Sequence, residues 1–155
     1  MTENLKESME EFHHGLLVVE DSDTDFVVLK RFLEKLSFTN PVYRCYDGDD
    51  ALNYLFNEGK YQDDSTYPRP SLILLDLNLP GTDGKEVLAE IKSNDTLKTI
   101  PVVIFTTSSN PDDINKCYEK GANSYINKPM DLDEMSRIVK SLLEYWFKVS
   151  LFPSS

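Results

Sequence analysis

The sequence predicts a doubly wound α/β fold, a five-stranded parallel sheet with helices on both faces. Three observations carry this expectation. Short apolar runs recur along the chain without polar alternation, as in strands covered on both sides. Between them lie stretches whose apolar residues repeat at the helical period. Acidic or amide residues stand where those helices would begin, and such side chains satisfy the free N–H groups of a helix start.

The elements follow in order. Gly15 to Val19 is the first apolar run, and it ends in acids. Leu29, Phe32, Leu33 and Leu36 then fall at i, i+3, i+4 and i+7, one face of a helix. Pro41 to Tyr46 is short and rich in strand formers, and Ala51, Leu52, Leu55 and Phe56 mark a second helix face. Gly59 to Pro70 is polar, aperiodic and carries two prolines, so it reads as a loop. Ser71 to Leu75 is the next strand, with Asp76 at its end, and Val87, Leu88 and Ile91 mark a third helix. Pro101 to Phe105 forms a fourth strand ended by Thr106; Ile114, Cys117 and Tyr118 give a fourth helix face. Asn123 to Ile126 is a fifth strand, and Leu132, Met135, Ile138, Leu142 and Trp146 form the stripe of a long final helix. Asp83 precedes Glu86 by three, Asp131 precedes Glu134 by three, and Asn110 precedes Pro111, a residue suited to a first helical position. Five strand–helix units in one chain imply a flavodoxin-like sheet of strand order 2-1-3-4-5. The expected organisation is a polar N-terminal extension over 1–14, one domain over 15–148 and an apolar tail over 149–155.

Composition bounds the function. The chain has 155 residues, enough for one full core. Its net charge of -11 would repel a phosphate backbone, and no Lys/Arg cluster interrupts it, so no direct nucleic-acid binding is expected. No apolar run approaches a membrane span, and the N-terminus lacks the apolar core of a signal peptide, so no membrane contact and a cytoplasmic location are expected. Cys45 and Cys117 have no metal-type spacing and read as reduced structural thiols.

In open parallel sheets ligands bind beyond the carboxyl ends of the strands. There the sequence places Glu20 and Asp21, Asp76, Thr106, and Lys128. Clustered carboxylates repel, and a divalent cation with oxygen ligands, such as Mg2+, relieves that repulsion. Adding a lysine and a hydroxyl makes a set suited to phosphoryl transfer, with Asp76 as the nucleophile. Each residue alone has a structural reading: a turn acid, a strand-ending threonine, a surface lysine. Their order at successive strand ends is what points to chemistry.

With these residues in view, the segments LLVVEDSDTD, LILLDLNLPGTDG, PVVIFTTSSNPDD and GANSYINKP resemble the receiver (CheY-like) domains of two-component response regulators. The wording DLNLPGTDGKEVLAEIK and the aromatic EYWFKV ending look like the small regulators paired with cyanobacterial phytochromes. The resemblance implies a protein that accepts a phosphoryl group on Asp76 from a sensor histidine kinase of phytochrome type. It catalyses only its own phosphorylation and dephosphorylation. Glu20, Asp21, Asp76 and the carbonyl of Asn78 would hold Mg2+, or another divalent cation such as Mn2+. Many receivers carry two aspartates where this chain has Glu20-Asp21, so Asp21 is expected as the more direct ligand. Lys128, Thr106 and Thr107 would contact the phosphoryl group. Thr106 and Tyr125 would act as the switch, Tyr125 turning inward, and Asn78 and Ser108 would tune dephosphorylation. The Lys128–Pro129 bond would be cis.

Tyr145 to Phe152 is unusually apolar, so a homodimer contact is expected, with folding back onto the domain as the alternative. No output domain is expected beyond the receiver, so a protein contact or phosphate relay is the expected output. Two other classes fare worse. A phosphatase of the haloacid dehalogenase type needs a second aspartate two residues after the first, where Asn78 stands. A flavin module needs an uncharged phosphate loop after the first strand, where this chain has Glu20-Asp21-Ser22-Asp23-Thr24-Asp25. A degenerate receiver that only binds partners would not need so complete a set of acids, hydroxyl and lysine.

Overall fold

The computed structural model describes residues 14–154. Five strands, β1 (Leu16–Val19), β2 (Val42–Cys45), β3 (Leu72–Leu75), β4 (Val102–Thr106) and β5 (Ser124–Asn127), form one parallel sheet in the order β2-β1-β3-β4-β5. Five helices alternate with them: α1 (Asp23–Lys35), α2 (Gly48–Leu55), α3 (Gly84–Ser93), α4 (Pro111–Glu119) and α5 (Leu132–Glu144). The predicted fold class and strand order are therefore observed. All but residue 14 of the expected N-terminal extension lies outside the described residues.

The strands read as unbroken apolar runs because both faces are buried. Leu17, Val19, Ile73, Leu75 and Ile104 point to a core closed by α2, α3 and α4, through Tyr54, Val87, Leu88, Ile91 and Cys117. Leu16, Val18, Leu72, Leu74 and Val103 point to the opposite core, closed by α1 and α5 through Leu29, Leu33, Val139, Leu142 and Leu143. Each such aliphatic side chain contributes about 1.5–3 kcal/mol by leaving water. The two thiols lie in this interior, where burial pushes the Cys45 pKa up to about 12.

The anticipated caps are present. Asp83 accepts from the N–H groups of Lys85 and Glu86, Asp131 from Glu134, and Asn110 from Asp112. Ser22 and Asp47 cap α1 and α2 in the same way. Other expectations need correction. The stripe of α5 holds in part: Leu142 is core and Met135 and Trp146 pack on it, but Leu132 is 61% exposed and Val139 and Leu143 join the core. The i, i+3 pattern was satisfied equally by Ile138 or its neighbour Val139, and the sheet surface selected Val139. Tyr118 and Phe56 lie at the surface, and Tyr54 fills the core beside α2. Thr106 is the last residue of β4, one beyond the expected end. No peptide bond among the described residues is cis, so Lys128–Pro129 is trans; before proline the two isomers differ by only about 0.5–1 kcal/mol.

The 59–70 loop is anchored by aromatics rather than by periodic structure. Tyr61 and Tyr67 pack edge-on at 4.8 Å, both against Tyr54, whose hydroxyl donates to the Pro68 carbonyl at 2.8 Å. The C-terminal segment also folds back in part. Trp146, Phe147 and Phe152 pack on the α1/α5 core, with Phe147 edge-on to Phe38 at 4.9 Å. Tyr145, Val149 and Leu151 remain exposed.

Candidate phosphoryl and cation site

The parallel register sets the site. Val19 pairs with both Cys45 and Leu75, and Leu75 pairs with Ile104, so β1, β2, β3 and β4 run out nearly level. The Glu20 N–H donates to the Cys45 carbonyl at 3.0 Å and the Asp76 N–H to the Val19 carbonyl at 3.1 Å, which carries both acids one residue past the strands. The Lys128 N–H donates to the Thr106 carbonyl at 2.7 Å and brings the lysine over from the far side.

Glu20, Asp76, Thr106 and Lys128 are all buried, whereas Asp21 is exposed. The Lys128 ammonium donates to Glu20 Oε1, to Asp76 Oδ2 at 3.1 Å and to Asp25 Oδ2 at 3.2 Å. Asp76 Oδ1 accepts the backbone N–H of Asn78 at 3.3 Å. Burial would raise the Asp76 pKa, but the Lys128 charge beside it, with its hydrogen bond, holds it below the usual carboxylate range. For Glu20 burial wins and pushes its pKa up to about 7, against the opposing pull of Lys128. Burial works to discharge Lys128; Glu20 and Asp76 overcome it and keep the ammonium charged. The site thus holds one anionic carboxylate at Asp76, a second carboxyl poised near neutrality, and a fixed cation.

Glu20, Asp21 and Asp76 each present an oxygen, all within 4.8 Å of one another. The second oxygen of Glu20 is buried and has no hydrogen-bond partner. Three hard oxygen donors with one buried orphan suit a divalent cation of the Mg2+ or Mn2+ kind. The buried residue of the Glu20-Asp21 pair is the glutamate, which reaches Lys128 directly.

The remaining predicted residues lie around this centre. Thr107 is exposed and lines a cavity of about 250 Å³ with Glu20, Asp25, Lys128 and Met130. Asn78 has an exposed side chain and meets the site through its N–H. Tyr125 is half-buried, its ring against the core and its hydroxyl donating to the Ser108 carbonyl at 2.8 Å. The Ser108 hydroxyl donates to Asp113 at 2.7 Å, and Asp113 is paired with Lys85 on α3. Sequence reasoning missed Asp25 and the Lys85–Asp113 pair. Asp25 carried one signal: it stands in the first turn of α1, close in sequence to the strand-end acids Glu20 and Asp21.

A parallel sheet that ends in a buried aspartate, two further acids, a threonine and a lysine defines a phosphoryl-accepting receiver domain. The model of the response regulator receiver domain matches residues 16–140, and the chain belongs to that family of signalling proteins. It is 40% identical over 140 residues to response regulator Rcp1 of Synechocystis sp., covering 90% of this chain and 93% of that one. Among solved structures, the phosphorylated cyanobacterial phytochrome response regulator RcpA is similar at a TM-score of 0.85, with 44% identity over 92% of this chain and 99% of that one. The Mn2+-bound form of Rcp1 is similar at 0.84, with 40% identity over 91% and 99% of the two chains. No helix among the described residues is long and apolar enough to cross a membrane.

Proposed function

We propose that this chain takes a phosphoryl group on Asp76 from a phosphohistidine of a sensor kinase, and that the kinase is of phytochrome type. The observation that carries the reading is the state of Asp76: a buried carboxylate kept anionic by Lys128 and open to the cluster of oxygens at the strand ends. A carboxylate oxygen of Asp76 attacks phosphorus, the P–N bond breaks, and the imidazole leaves with that electron pair. The product is an aspartyl phosphate. Glu20, Asp21, Asp76 and the Asn78 carbonyl would hold Mg2+ or Mn2+, whose charge offsets that of the phosphoryl oxygens. Lys128, Thr106 and Thr107 contact the phosphoryl group, and the position of Tyr125 reports the switch. Asn78 and Ser108 flank the acyl phosphate and set how fast water removes it. The phytochrome assignment rests on the likeness to RcpA and Rcp1.

The exposed Tyr145, Val149 and Leu151 form the apolar strip through which we place a homodimer. The excess negative charge gives nucleic acid no role.

Incubation with a small phosphodonor and Mg2+, followed by intact mass, tests the central claim. The expected result is a gain of one phosphoryl group that vanishes in Asp76→Asn. No gain from a small donor or from a cognate kinase overturns it. Sedimentation that shows a monomer at micromolar concentration, with and without phosphorylation, removes the dimer.

A further inference from the structure

An ammonium group has three N–H donors. Those of Lys128 meet three carboxylates: Glu20, Asp76 and Asp25. In this state no N–H is left for a phosphoryl oxygen, so loading Asp76 requires one of the three to let go. The Asp76 side chain is 10% exposed and would be left unsatisfied without its donor, and Glu20, 6% exposed, holds Lys128 through Oε1 while its second oxygen stays free for a cation. The Asp25 side chain is 47% exposed, so water replaces what it gives up. Asp25 and Lys128 also line one cavity together with Glu20 and Thr107.

We propose that Asp25 is a positioning residue: it occupies the Lys128 N–H that a phosphoryl oxygen later takes, and so slows the loading of Asp76 by anionic donors. This rests on the reading of Asp76 as the phosphoacceptor. The Asp25 carboxylate holds Lys128 in place and screens its charge while the site is empty of phosphate. It yields when an anion of higher charge arrives.

The test uses the full chain with Asp25→Ala, which removes charge and acceptor, and Asp25→Asn, which keeps an oxygen for Lys128. Acetyl phosphate at saturating Mg2+ serves as donor, and intact mass gives the rate. Fluorine NMR of beryllium fluoride binding gives an equilibrium readout for a tetrahedral anion at the same place, and Mn2+ titration controls for altered cation affinity. One unit charge about 3–6 Å from the reaction path alters loading by about three- to tenfold, with screening close to that of water at the half-exposed Asp25. Asp25→Ala is expected to load faster by that factor, Asp25→Asn by somewhat less, and beryllium fluoride affinity to rise in parallel. The advantage should shrink toward unity in about 0.5 M salt, where exposed charges are screened within a few ångströms. A role confined to the stability of α1 would lower the melting temperature and leave these readouts unmoved. Equal or slower loading in both variants, with wild type loading normally, overturns the role of Asp25. A wild type that no donor loads overturns the reading of Asp76 itself, and this inference with it.

Discussion

Replacing Gly84 by alanine is expected to destabilise the domain by about 2–3 kcal/mol, the range for forcing an extra methyl into a packed site. The magnitude comes from close approach. A Cβ at Gly84 would lie 2.2 Å from the Asp76 carbonyl oxygen and 2.7 Å from the Leu77 Cα, both backbone atoms. Ordinary contacts between such atoms are about 3.5 Å, so α3 must retreat by about 1 Å from the end of β3. The Gly84 N–H to Leu77 carbonyl bond, now 3.1 Å, would be stretched by that retreat. Helix propensity argues the other way, since alanine exceeds glycine by about 0.5–1 kcal/mol in a helix. The sign alone therefore separates the two accounts. Urea denaturation of the cation-free protein measures it, and a drop of about 10 °C in Tm should accompany the loss in a domain of this size. The phosphorylation rate should fall about tenfold or more as the Asp76 backbone shifts, because misplacement of a reacting group by about 1 Å carries that scale of penalty. A variant as stable as wild type, or more so, would refute the steric argument.

Four further outcomes are expected. With cations chelated, Glu20, pushed up from 4.5 to about 7 by burial, takes up a proton on folding within that interval. Its contribution to stability is full below its unfolded value and is lost as pH rises through about 7, so the urea midpoint should fall across that window and Glu20→Gln should flatten the fall. Asp76 acts with the opposite sign at the acid end, where its contribution is lost as pH drops below the usual carboxylate range. Phe147→Ala removes the ring wedged between Phe38 and Phe152 and should cost about 2 kcal/mol, less than for a fully buried phenylalanine, with Trp146 fluorescence as the unfolding signal. Asp83→Ala removes the acceptor of two amide N–H groups and should cost about 1 kcal/mol by thermal melts.

The sheet was legible in the sequence because burial on both faces leaves unbroken apolar runs such as Leu72 to Leu75. The caps Asp83, Asn110 and Asp131 were legible because their chemistry is local. Strand-end logic brought Glu20, Asp76, Thr106 and Lys128 to one edge, and the structure joins them there. What stayed hidden depends on contacts between elements. Helical period narrows α5 to an apolar stripe, but the sheet beneath decides between Ile138 and Val139. The tyrosines of the 59–70 loop have no period, and only Tyr54 across the chain explains their burial. Asp25 and the Lys85–Asp113 pair join residues whose partners lie in other elements, so no spacing rule links them.

The peptide at Ser108 serves two elements at once. Its hydroxyl faces Asp113 and through it Lys85 at the start of α3, while its carbonyl holds Tyr125 on β5. Ser108 thus anchors α4 and β5 from one residue, and a change of its backbone would alter both contacts together.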